Sequence, residues 1–311
     1  MTGIIAIGRF HDMDRRAMRE EFDALAIGAP GDLATLEVEA RAAVIGVAYS
    51  AKPYFEGAAM DLLPNLKMIA KYGVGYDSID VDAASARGIT VTNTPDVLND
   101  DVADLAVGMW IAVGREIEPA IALVRSGGWP KGGPRLARRV SGRRVGILGL
   151  GRIGREIAAR LAAFKCEIHY YARTEKATPG WRYHADPMEL AAAVDDLFVS
   201  VVGGPETQNL VTAQMLAALG SDGILVNISR GSVADEDALI AALESGTIRA
   251  AALDVFRNEP NVDPQLAGMG NVLPLPHIGT ATIETRTAMG VLQRENLHAL
   301  LGGRAPVTPV N

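Results

Sequence analysis

Short apolar runs alternate with amphipathic segments over the first hundred residues. The runs 3–7, 42–48, 67–71 and 89–93 (GIIAI, AAVIGVA, KMIAK and ITVTN) have the length and composition of buried strands. Residues 13–25 carry apolar side chains at helical spacing among many charges and predict a helix. Strands that alternate with helices predict a parallel sheet that is covered on both faces.

A second alternation begins after one long helix, predicted over 100–115, and a loop rich in Gly, Pro and Arg over 127–142. Six strands are expected near 145–149, 167–172, 197–202, 223–228, 250–255 and 271–275. Helices are expected to begin near Arg152, Asp186, Thr212 and Asp235. Six strands joined by crossovers are typical of a dinucleotide-binding sheet.

Composition narrows the classes of partner. The 311 residues are 49% hydrophobic and 22% charged, which is ordinary globular usage and enough chain for two domains. A net charge of −7 provides no positive field for a phosphate backbone, so nucleic acid is not expected as a partner. The single cysteine, Cys166, cannot form an internal disulfide, and no apolar run approaches the roughly 20 residues of a membrane-spanning helix. We therefore expect a cytoplasmic protein with no membrane contact.

The segment 149–154 (GLGRIG) matches the GxGxxG pattern, and its context makes the match specific. It follows the apolar strand 145–148 and opens a helix. Gly149 would permit the sharp turn, Gly151 would let backbone N–H groups approach a pyrophosphate, and Gly154 would let helix and strand pack closely. The alternative is a tight strand-to-helix turn without a ligand.

The end of the following strand indicates which nicotinamide cofactor is used. NAD enzymes carry a carboxylate about 20 residues beyond the glycines, where it binds the ribose hydroxyls. The segment 168–176 (IHYYARTEK) has no acid at the strand end. Arg173 instead offers a planar cation for a 2′-phosphate, with Thr174 as hydroxyl donor and Lys176 as added charge. The sequence favours NADP(H) over NAD(H), and the alternative is a solvated basic turn in which Glu175 pairs locally.

Several segments resemble the signature segments of the D-2-hydroxyacid dehydrogenases. They are 71–77 (KYGVGYD), 93–96 (NTPD), 226–231 (VNISRG), 254–260 (DVFRNEP) and 276–280 (PHIGT). The similarity covers most of the chain after about residue 65, and the first part matches only in pattern. Within the family, the glyoxylate/hydroxypyruvate and hydroxyphenylpyruvate reductases are the most similar, on the segments 99–105 (NDDVADL), 173–174 (RT) and 277–286 (HIGTATIETR).

The resemblance implies an α/β protein of two doubly wound parallel-sheet domains, a Rossmann nucleotide-binding domain and a flavodoxin-like substrate domain. We expect residues 1–98 and 285–311 in the substrate domain and 99–284 in the NADP-binding domain. A homodimer is also expected, because the helix 100–115 has more apolar surface than one side of a sheet covers. The loop 127–142 is long enough to reach a second subunit.

Reduction of a 2-keto acid needs a cation to hold the carboxylate, an acid to protonate the alkoxide and a hydride donor. Arg230 follows the end of a strand, where ligands of open α/β sheets bind, and an imidazole such as His277 exchanges protons near neutral pH. By resemblance, Arg230 anchors the substrate, Glu259 favours the charged imidazolium and His277 is the acid/base. The alternatives are a surface ion pair for Arg230, a structural His277 and a loop acid at Glu259.

Further contacts follow from the same resemblance. Backbone N–H groups of Val74 and Gly75 would join Arg230 and His277 in binding the substrate, and the alternative is an ordinary glycine turn. The implied cofactor contacts, besides Arg173 and Thr174, are Val102, Leu150, Gly151, Arg152, Ile153, Val202, Gly203, Thr207, Ile228, Ser229, Arg230, Asp254, His277, Gly279 and Thr280. The segment 202–205 (VGGP) has glycines where the family usually has a proline, which leaves that local contact open. No metal ion is implied.

We interpret the chain as an NADPH-dependent reductase of small 2-keto acids such as glyoxylate and hydroxypyruvate. Two other enzyme readings stay open: a reductase of bulkier aromatic 2-keto acids such as hydroxyphenylpyruvate, and an NAD-dependent dehydrogenase of a bulkier D-2-hydroxy acid. A third reading is a non-catalytic protein that senses NAD(P) and binds protein partners. The complete set of Arg230, Glu259 and His277 argues against this sensor.

Overall fold

The computed structural model describes residues 3–311, and the chain forms two compact units. The central unit comprises Asn99–Thr280. The discontinuous unit comprises Met1–Leu98 and Ala281–Asn311. The chain therefore returns to the discontinuous unit at residue 281, where we expected residue 285.

Twelve strands form two sheets within residues 3–311. The discontinuous unit contains β1 (Ile4–Gly8), β2 (Leu25–Ile27), β3 (Gly46–Ser50), β4 (Met68–Lys71) and β5 (Thr90–Thr92). The central unit contains β6 (Arg144–Leu148), β7 (Glu167–Tyr171), β8 (Arg182–His184), β9 (Asp196–Val199), β10 (Ile224–Asn227), β11 (Ala250–Leu253) and β12 (Val272–Pro274).

Helices flank the strands of both units. Those of the discontinuous unit are α1 (Asp12–Phe22), α2 (Val38–Ala42), α3 (Gly57–Asp61), α4 (Val81–Ala86) and, at the end of the chain, α12 (Ile283–Leu301). Those of the central unit are α5 (Asn99–Gly114), α6 (Ile117–Arg125), α7 (Arg152–Ala163), α8 (Pro187–Ala193), α9 (Ala213–Leu219), α10 (Glu236–Glu244) and α11 (Pro264–Gly268). Short 3-10 turns lie at Pro30–Thr35, Trp129–Lys131, Pro205–Thr207 and Gly231–Val233.

The discontinuous unit has a parallel sheet with strand order β2-β1-β3-β4-β5, the flavodoxin-like doubly wound order. Both faces of β1 are buried: Ile5 and Ile7 belong to one apolar cluster, while Ile4 and Ala6 belong to a second cluster with Leu297 of α12. Burial on both faces explains why the strands read as continuous apolar runs.

The sequence prediction was wrong at two places in this unit. The helix expected over 13–25 ends at Phe22, because Asp23 adopts a left-handed backbone (φ 48°) and Leu25 opens the strand β2. The strand expected over 42–48 lies later, at Gly46–Ser50, and residues Val38–Ala42 form α2 instead. In both cases apolar residues at an element boundary fit either period, and tertiary packing decides between them.

The central unit has a parallel sheet with strand order β12-β11-β10-β9-β6-β7-β8. The order reverses between β6 and β9, which is the switch point of a Rossmann sheet, so the predicted fold class is confirmed. The sheet has seven strands where six were expected, because the three-residue edge strand β8 shows too little alternation to be recognised. The helix α6 was also missed.

Four of the central helices begin where the sequence predicted. α7 begins at Arg152. Asp186, Thr212 and Asp235 are the N-cap residues of α8, α9 and α10, and each side chain accepts a backbone N–H of the first turn. These bonds satisfy N–H groups that have no partner inside the helix, which is why such residues mark helix starts.

The long helix α5 is anchored to the sheet through one buried carboxylate. Asp196, the first residue of β9, accepts hydrogen bonds from Trp110 Nε1 and Arg143 Nε, both at 2.9 Å. Burial raises the pKa of Asp196 to about 6, although Arg143 and Trp110 act in the opposite direction.

No helix within residues 3–311 is long and apolar enough to cross a membrane.

Candidate active site

The glycine loop between β6 and α7 brings backbone atoms unusually close. Gly149 has a φ of 102°, a conformation that favours glycine, and its carbonyl accepts the Ser200 hydroxyl at 2.7 Å. A Cβ on Gly154 would lie 2.2 Å from that same carbonyl oxygen and 2.9 Å from Ser200 Oγ. Close packing of the helix on the strand therefore requires glycine at 154.

Gly151 has a different role, because no atom lies within 4 Å of the position a Cβ would take. Gly151 is the N-cap of α7 and is exposed, as is Arg152, whereas Leu150 beside them is buried. The first turn of this twelve-residue helix thus begins at exposed, uncrowded backbone, and it carries the positive end of the helix dipole. This geometry fits a cofactor pyrophosphate held by residues 150–153.

The candidate cofactor-selecting residues follow β7 directly. Arg173 and Thr174 are exposed, and Lys176 Nζ donates to Thr174 Oγ1 at 3.1 Å. Arg173 has no hydrogen bond or ion pair with any residue from 3 to 311, and Glu175 pairs with none of these cations. The Arg173 guanidinium is therefore available to a ligand phosphate.

Glu259 and His277 form a direct contact in the central unit. Glu259 Oε2 lies 2.8 Å from His277 Nδ1, and Glu259 Oε1 accepts the Phe256 N–H at 3.0 Å. The Glu259 side chain is 14% exposed and that of His277 is 42% exposed. The carboxylate is thus fixed on both oxygens, and the exposed imidazole keeps its other nitrogen, Nε2, outside this contact.

The backbone beside His277 is held by Asp254, at the end of β11. The two Asp254 carboxylate oxygens accept the N–H groups of Ile278 at 2.7 Å and of Gly279 at 2.8 Å. Burial raises the pKa of Asp254, and the two N–H groups act to lower it. His277 itself has a φ of 57°, a strained value for a residue with a side chain, which these two bonds help to maintain.

Arg230 extends from a braced turn after β10. The buried side chain of Asn227 donates to the Arg230 carbonyl at 3.1 Å and accepts the Ser229 N–H at 3.0 Å. Arg230 Nη1 donates to the Ser229 carbonyl at 2.8 Å. A Cβ on Gly203 would lie 2.5 Å from Arg230 Cγ, so the glycine leaves room for the arginine stem.

Other predicted cofactor contacts lie around the same strand ends. A Cβ on Gly279 would lie 3.4 Å from Val102, so these two residues are neighbours. The Thr207 hydroxyl donates to the Val202 carbonyl at 2.7 Å and braces the glycine segment, whereas the Val202 side chain is 66% exposed. The Ser229 hydroxyl donates to the Val201 carbonyl. Ile228 is buried and Thr280 is half-buried.

The glycine loop after β4 belongs to the discontinuous unit. Gly73 donates its N–H to the Thr94 hydroxyl at 3.1 Å, and Asn93 Nδ2 donates to the Val74 carbonyl at 2.9 Å. The N–H groups of Val74 and Gly75 donate to no residue between 3 and 311. Two adjacent unpaired donors in a braced, half-buried loop can bind an anion.

Sequence reasoning did not anticipate the structural roles of three residues at the site, although it named two of them, Gly203 and Asp254, as cofactor contacts. Asn227 was read only as part of a motif, although a buried amide at a strand end commonly braces the following turn. The glycine at 203 was read as a departure from a pattern, and the structure shows that it leaves space for Arg230. The bonds from Asp254 to the backbone beside His277 had no sequence signal, because they join residues 24 and 25 positions apart.

The chain is similar to known 2-hydroxyacid dehydrogenases and 2-keto acid reductases. Residues 107–279 match the profile of the D-isomer specific 2-hydroxyacid dehydrogenase NAD binding domain. Hydroxyphenylpyruvate reductase of Plectranthus scutellarioides is 42% identical over 282 residues, 91% of this chain and 89% of that protein. Glyoxylate/hydroxypyruvate reductase A of Arabidopsis thaliana is 46% identical over 248 residues, 80% of this chain and 79% of that protein.

A crystal structure shows the same similarity over the whole chain. The NADPH-dependent glyoxylate/hydroxypyruvate reductase of Sinorhizobium meliloti, solved in complex with NADP and malonate, is 41% identical and has a TM-score of 0.94. The match covers 100% of this chain and 97% of that one.

Two alanine substitutions should separate the structural glycine from the ligand-facing one. Gly154→Ala forces a Cβ against the Gly149 carbonyl, and overpacking of this kind costs about 1–3 kcal/mol of unfolding free energy. Gly151→Ala has an extended backbone and no steric contact, so its cost should stay below about 1 kcal/mol. Urea denaturation measures both. If Gly154→Ala is as stable as the wild type, the close-packing role is wrong.

Proposed function

This chain belongs to the D-isomer specific 2-hydroxyacid dehydrogenases, and from that premise we propose that it reduces glyoxylate and hydroxypyruvate to D-2-hydroxy acids with NADPH. The observation that carries the proposal is the contact between Glu259 and His277, which pairs a carboxylate with a solvent-facing imidazole at the ends of the Rossmann strands. Relatives that carry the name of glyoxylate/hydroxypyruvate or hydroxyphenylpyruvate reductase support it.

Residues 150–153 would hold the cofactor pyrophosphate, and Arg173 with Thr174 would hold the 2′-phosphate of NADP(H). When bound, the nicotinamide supplies the hydride. Preference for NADP(H) is supported by the exposed and unpaired Arg173 guanidinium. The Sinorhizobium meliloti enzyme, which was solved with NADP, supports it as well. Contacts from Val102, Val202, Gly203, Thr207, Ile228, Ser229, Asp254, Gly279 and Thr280 complete the proposed cofactor site.

We assign the proton to His277 Nε2. An ionised Glu259 can only accept hydrogen bonds, so the contact at 2.8 Å places a proton on His277 Nδ1. The imidazolium then donates its Nε2 proton to the ketone oxygen as negative charge develops there. Glu259 orients the imidazole ring and itself stays ionised throughout the reaction.

Arg230 binds the substrate carboxylate and polarises the ketone. A guanidinium matches a carboxylate with two parallel N–H donors, and a positive charge beside the ketone stabilises the developing alkoxide. The N–H groups of Val74 and Gly75 are proposed as further donors to the substrate carboxylate. Their orientation is maintained by Asn93 and Thr94, which brace the loop from its own sheet.

The proton assignment gives opposite pH trends for the two directions. Keto-acid reduction needs the imidazolium, so its rate should fall as pH rises, whereas oxidation of the hydroxy acid needs neutral imidazole, so its rate should rise.

His277→Ala should lower kcat for reduction roughly 10²–10⁴-fold, the usual range for a lost general acid. Glu259→Gln keeps much of the side-chain shape but removes the carboxylate that orients His277, so it should lower kcat for reduction with little change in substrate affinity.

Arg230→Ala is the contrasting variant, because it should damage binding and turnover together at every pH. Steady-state kinetics across pH in both directions measure all three variants. An His277→Ala enzyme with near wild-type reduction and an unchanged pH profile would exclude this mechanism.

Cofactor preference should depend on the segment after β7. In the double variant Arg173→Asp, Thr174→Ala, the lost contact with the 2′-phosphate should cost about 1.5–3 kcal/mol, which is about 10- to 100-fold in NADPH affinity. The new carboxylate should repel NADPH and accept a hydrogen bond from the ribose hydroxyls of NADH. The ratio of kcat/KM for NADPH to that for NADH measures the effect. An unchanged ratio would show that Arg173 does not select the cofactor.

The Plectranthus scutellarioides relative, named hydroxyphenylpyruvate reductase, favours a second candidate activity on bulkier aromatic 2-keto acids. A panel of glyoxylate, hydroxypyruvate, pyruvate, phenylpyruvate and 4-hydroxyphenylpyruvate with both cofactors separates the two. Activity that rises with side-chain size would favour the second candidate. Tight cofactor binding without turnover of any member would favour the non-catalytic sensor.

We also propose that the enzyme is a homodimer. Ile117, Ile121 and Val124 lie on one exposed face of α6, at spacings of four and three residues. Trp129 and Leu136, in the loop that follows, are 61% and 97% exposed. Exposed apolar side chains concentrated on one segment are typical of an interface.

Light scattering should give twice the 32.8 kDa of one chain at micromolar concentration. The double variant Ile121→Lys, Leu136→Lys should shift the mass toward one chain. Val38→Lys, which changes an exposed valine of the discontinuous unit, is the control and should leave the mass unchanged. A single-chain mass for the wild type would exclude the dimer.

A further inference from the structure

The exposed segment 173–177 is fastened at its far end by a buried tyrosine. Tyr170 lies in β7 and is 1% exposed. Its hydroxyl accepts the Lys176 N–H at 2.9 Å and donates to the Lys176 carbonyl at 3.0 Å. The Tyr170 hydroxyl thus bonds both the N–H and the carbonyl of Lys176, and it ties the far end of the segment back to β7.

A second side chain holds the next residue. Arg155, in the first turns of α7, donates from Nη1 to the Ala177 carbonyl at 3.0 Å. Within the segment, Lys176 Nζ donates to the Thr174 hydroxyl. The segment is therefore continuous with β7 at one end and tied to β7 and α7 at the other.

Packing alone does not account for the Tyr170 hydroxyl. The Tyr170 ring packs against Tyr183, with ring centroids 5.5 Å apart, and a phenylalanine ring would fill the same space. Burying a hydroxyl is unfavourable unless it is hydrogen-bonded, and within residues 3–311 its partners are the two backbone groups of Lys176. The Tyr170 hydroxyl therefore stabilises the segment 173–177 rather than the packing of the core.

We propose that Tyr170 and Arg155 are positioning residues for cofactor selection, which order the segment so that Arg173 and Thr174 are held in place for the 2′-phosphate of NADP(H). This rests on the proposed preference for NADP(H). Residues 173–177 are all exposed, and without these ties they would occupy many conformations. Apparent affinity falls with the fraction of molecules in the binding conformation. NAD(H) lacks the 2′-phosphate, so its binding does not use that ordering.

Tyr170→Phe tests the proposal by binding rather than turnover. Calorimetric titration should show a Kd for NADP⁺ about three- to tenfold higher, the scale of one ordinary hydrogen bond, and an unchanged Kd for NAD⁺. Amide hydrogen exchange at Lys176 should accelerate in the variant. Thermal stability should change little, because the released Lys176 backbone groups can bond water.

Two further variants control the experiment. Tyr183→Phe removes a neighbouring phenol that donates to the Ala172 carbonyl at 3.3 Å, outside the segment, and should leave the NADP⁺ to NAD⁺ affinity ratio unchanged. Arg155→Met keeps the aliphatic stem and removes the tie to Ala177, so it should reproduce the selective loss if Tyr170→Phe does not fold. Equal weakening of both cofactors in Arg155→Met would mean that Arg155 binds the shared part of the dinucleotide, which overturns its positioning role.

The outcomes separate this inference from the proposed function. If the wild type prefers NADP⁺ and Tyr170→Phe keeps the same ratio, the positioning role is wrong and the NADP(H) preference stands. An equal loss in Tyr183→Phe also overturns the role. If the wild type does not prefer NADP⁺, the proposed preference fails, and the positioning role fails with it.

Discussion

The geometry of the candidate active site depends on one buried carboxylate, Asp254. Its two oxygens hold the N–H groups of Ile278 and Gly279, immediately after the strained backbone of His277. Left-handed backbone costs about 1–3 kcal/mol for a residue with a side chain, while each hydrogen bond to an ionised carboxylate contributes about 1.5–3 kcal/mol. Two such bonds can maintain the conformation from which the imidazole meets Glu259.

Direct backbone contact also fixes the neighbouring segments, which bear Arg230 and Glu259. A Cβ on Gly231 would lie 1.9 Å from the carbonyl carbon of Phe256, so the turn that bears Arg230 rests directly on the segment that bears Glu259. The Phe256 N–H in turn holds Glu259 Oε1. Arg230, Glu259 and His277 are therefore borne by three segments that fix one another, although the residues are far apart in the sequence.

Sequence reasoning succeeded where short-range interactions decide the structure and failed where long-range interactions decide it. Helix starts at Asp186, Thr212 and Asp235 were confirmed, because an N-cap bond spans two or three residues and leaves a local signature. The strands β2 and β8 were missed, since three residues cannot establish a period and their pairing with β1 and β7 decides their conformation. The family assignment was confirmed, because its motifs are long and occur in order.

The site was readable only in part for the same reason. The glycine loop follows from local geometry, and the role inferred for Gly154 agrees with the short distance to Gly149. The ties from Tyr170 and Arg155 to an exposed segment had no local signature, because tyrosine in a strand and arginine in a helix are ordinary residues there. The roles of the individual site residues remain predictions.

Because the two oxygens of Glu259 contact the Phe256 N–H and His277 Nδ1, the carboxylate cannot turn without losing one of these contacts. In the proposed mechanism, an ionised Glu259 also keeps the Nδ1 proton of His277 in place after the Nε2 proton has left. The neutral ring is then in the tautomer whose Nε2 carries a lone pair, ready to accept a proton. Under the mechanism that we propose, the imidazole can therefore serve both directions without rotating, and the bulk proton concentration and the cofactor ratio decide the net direction.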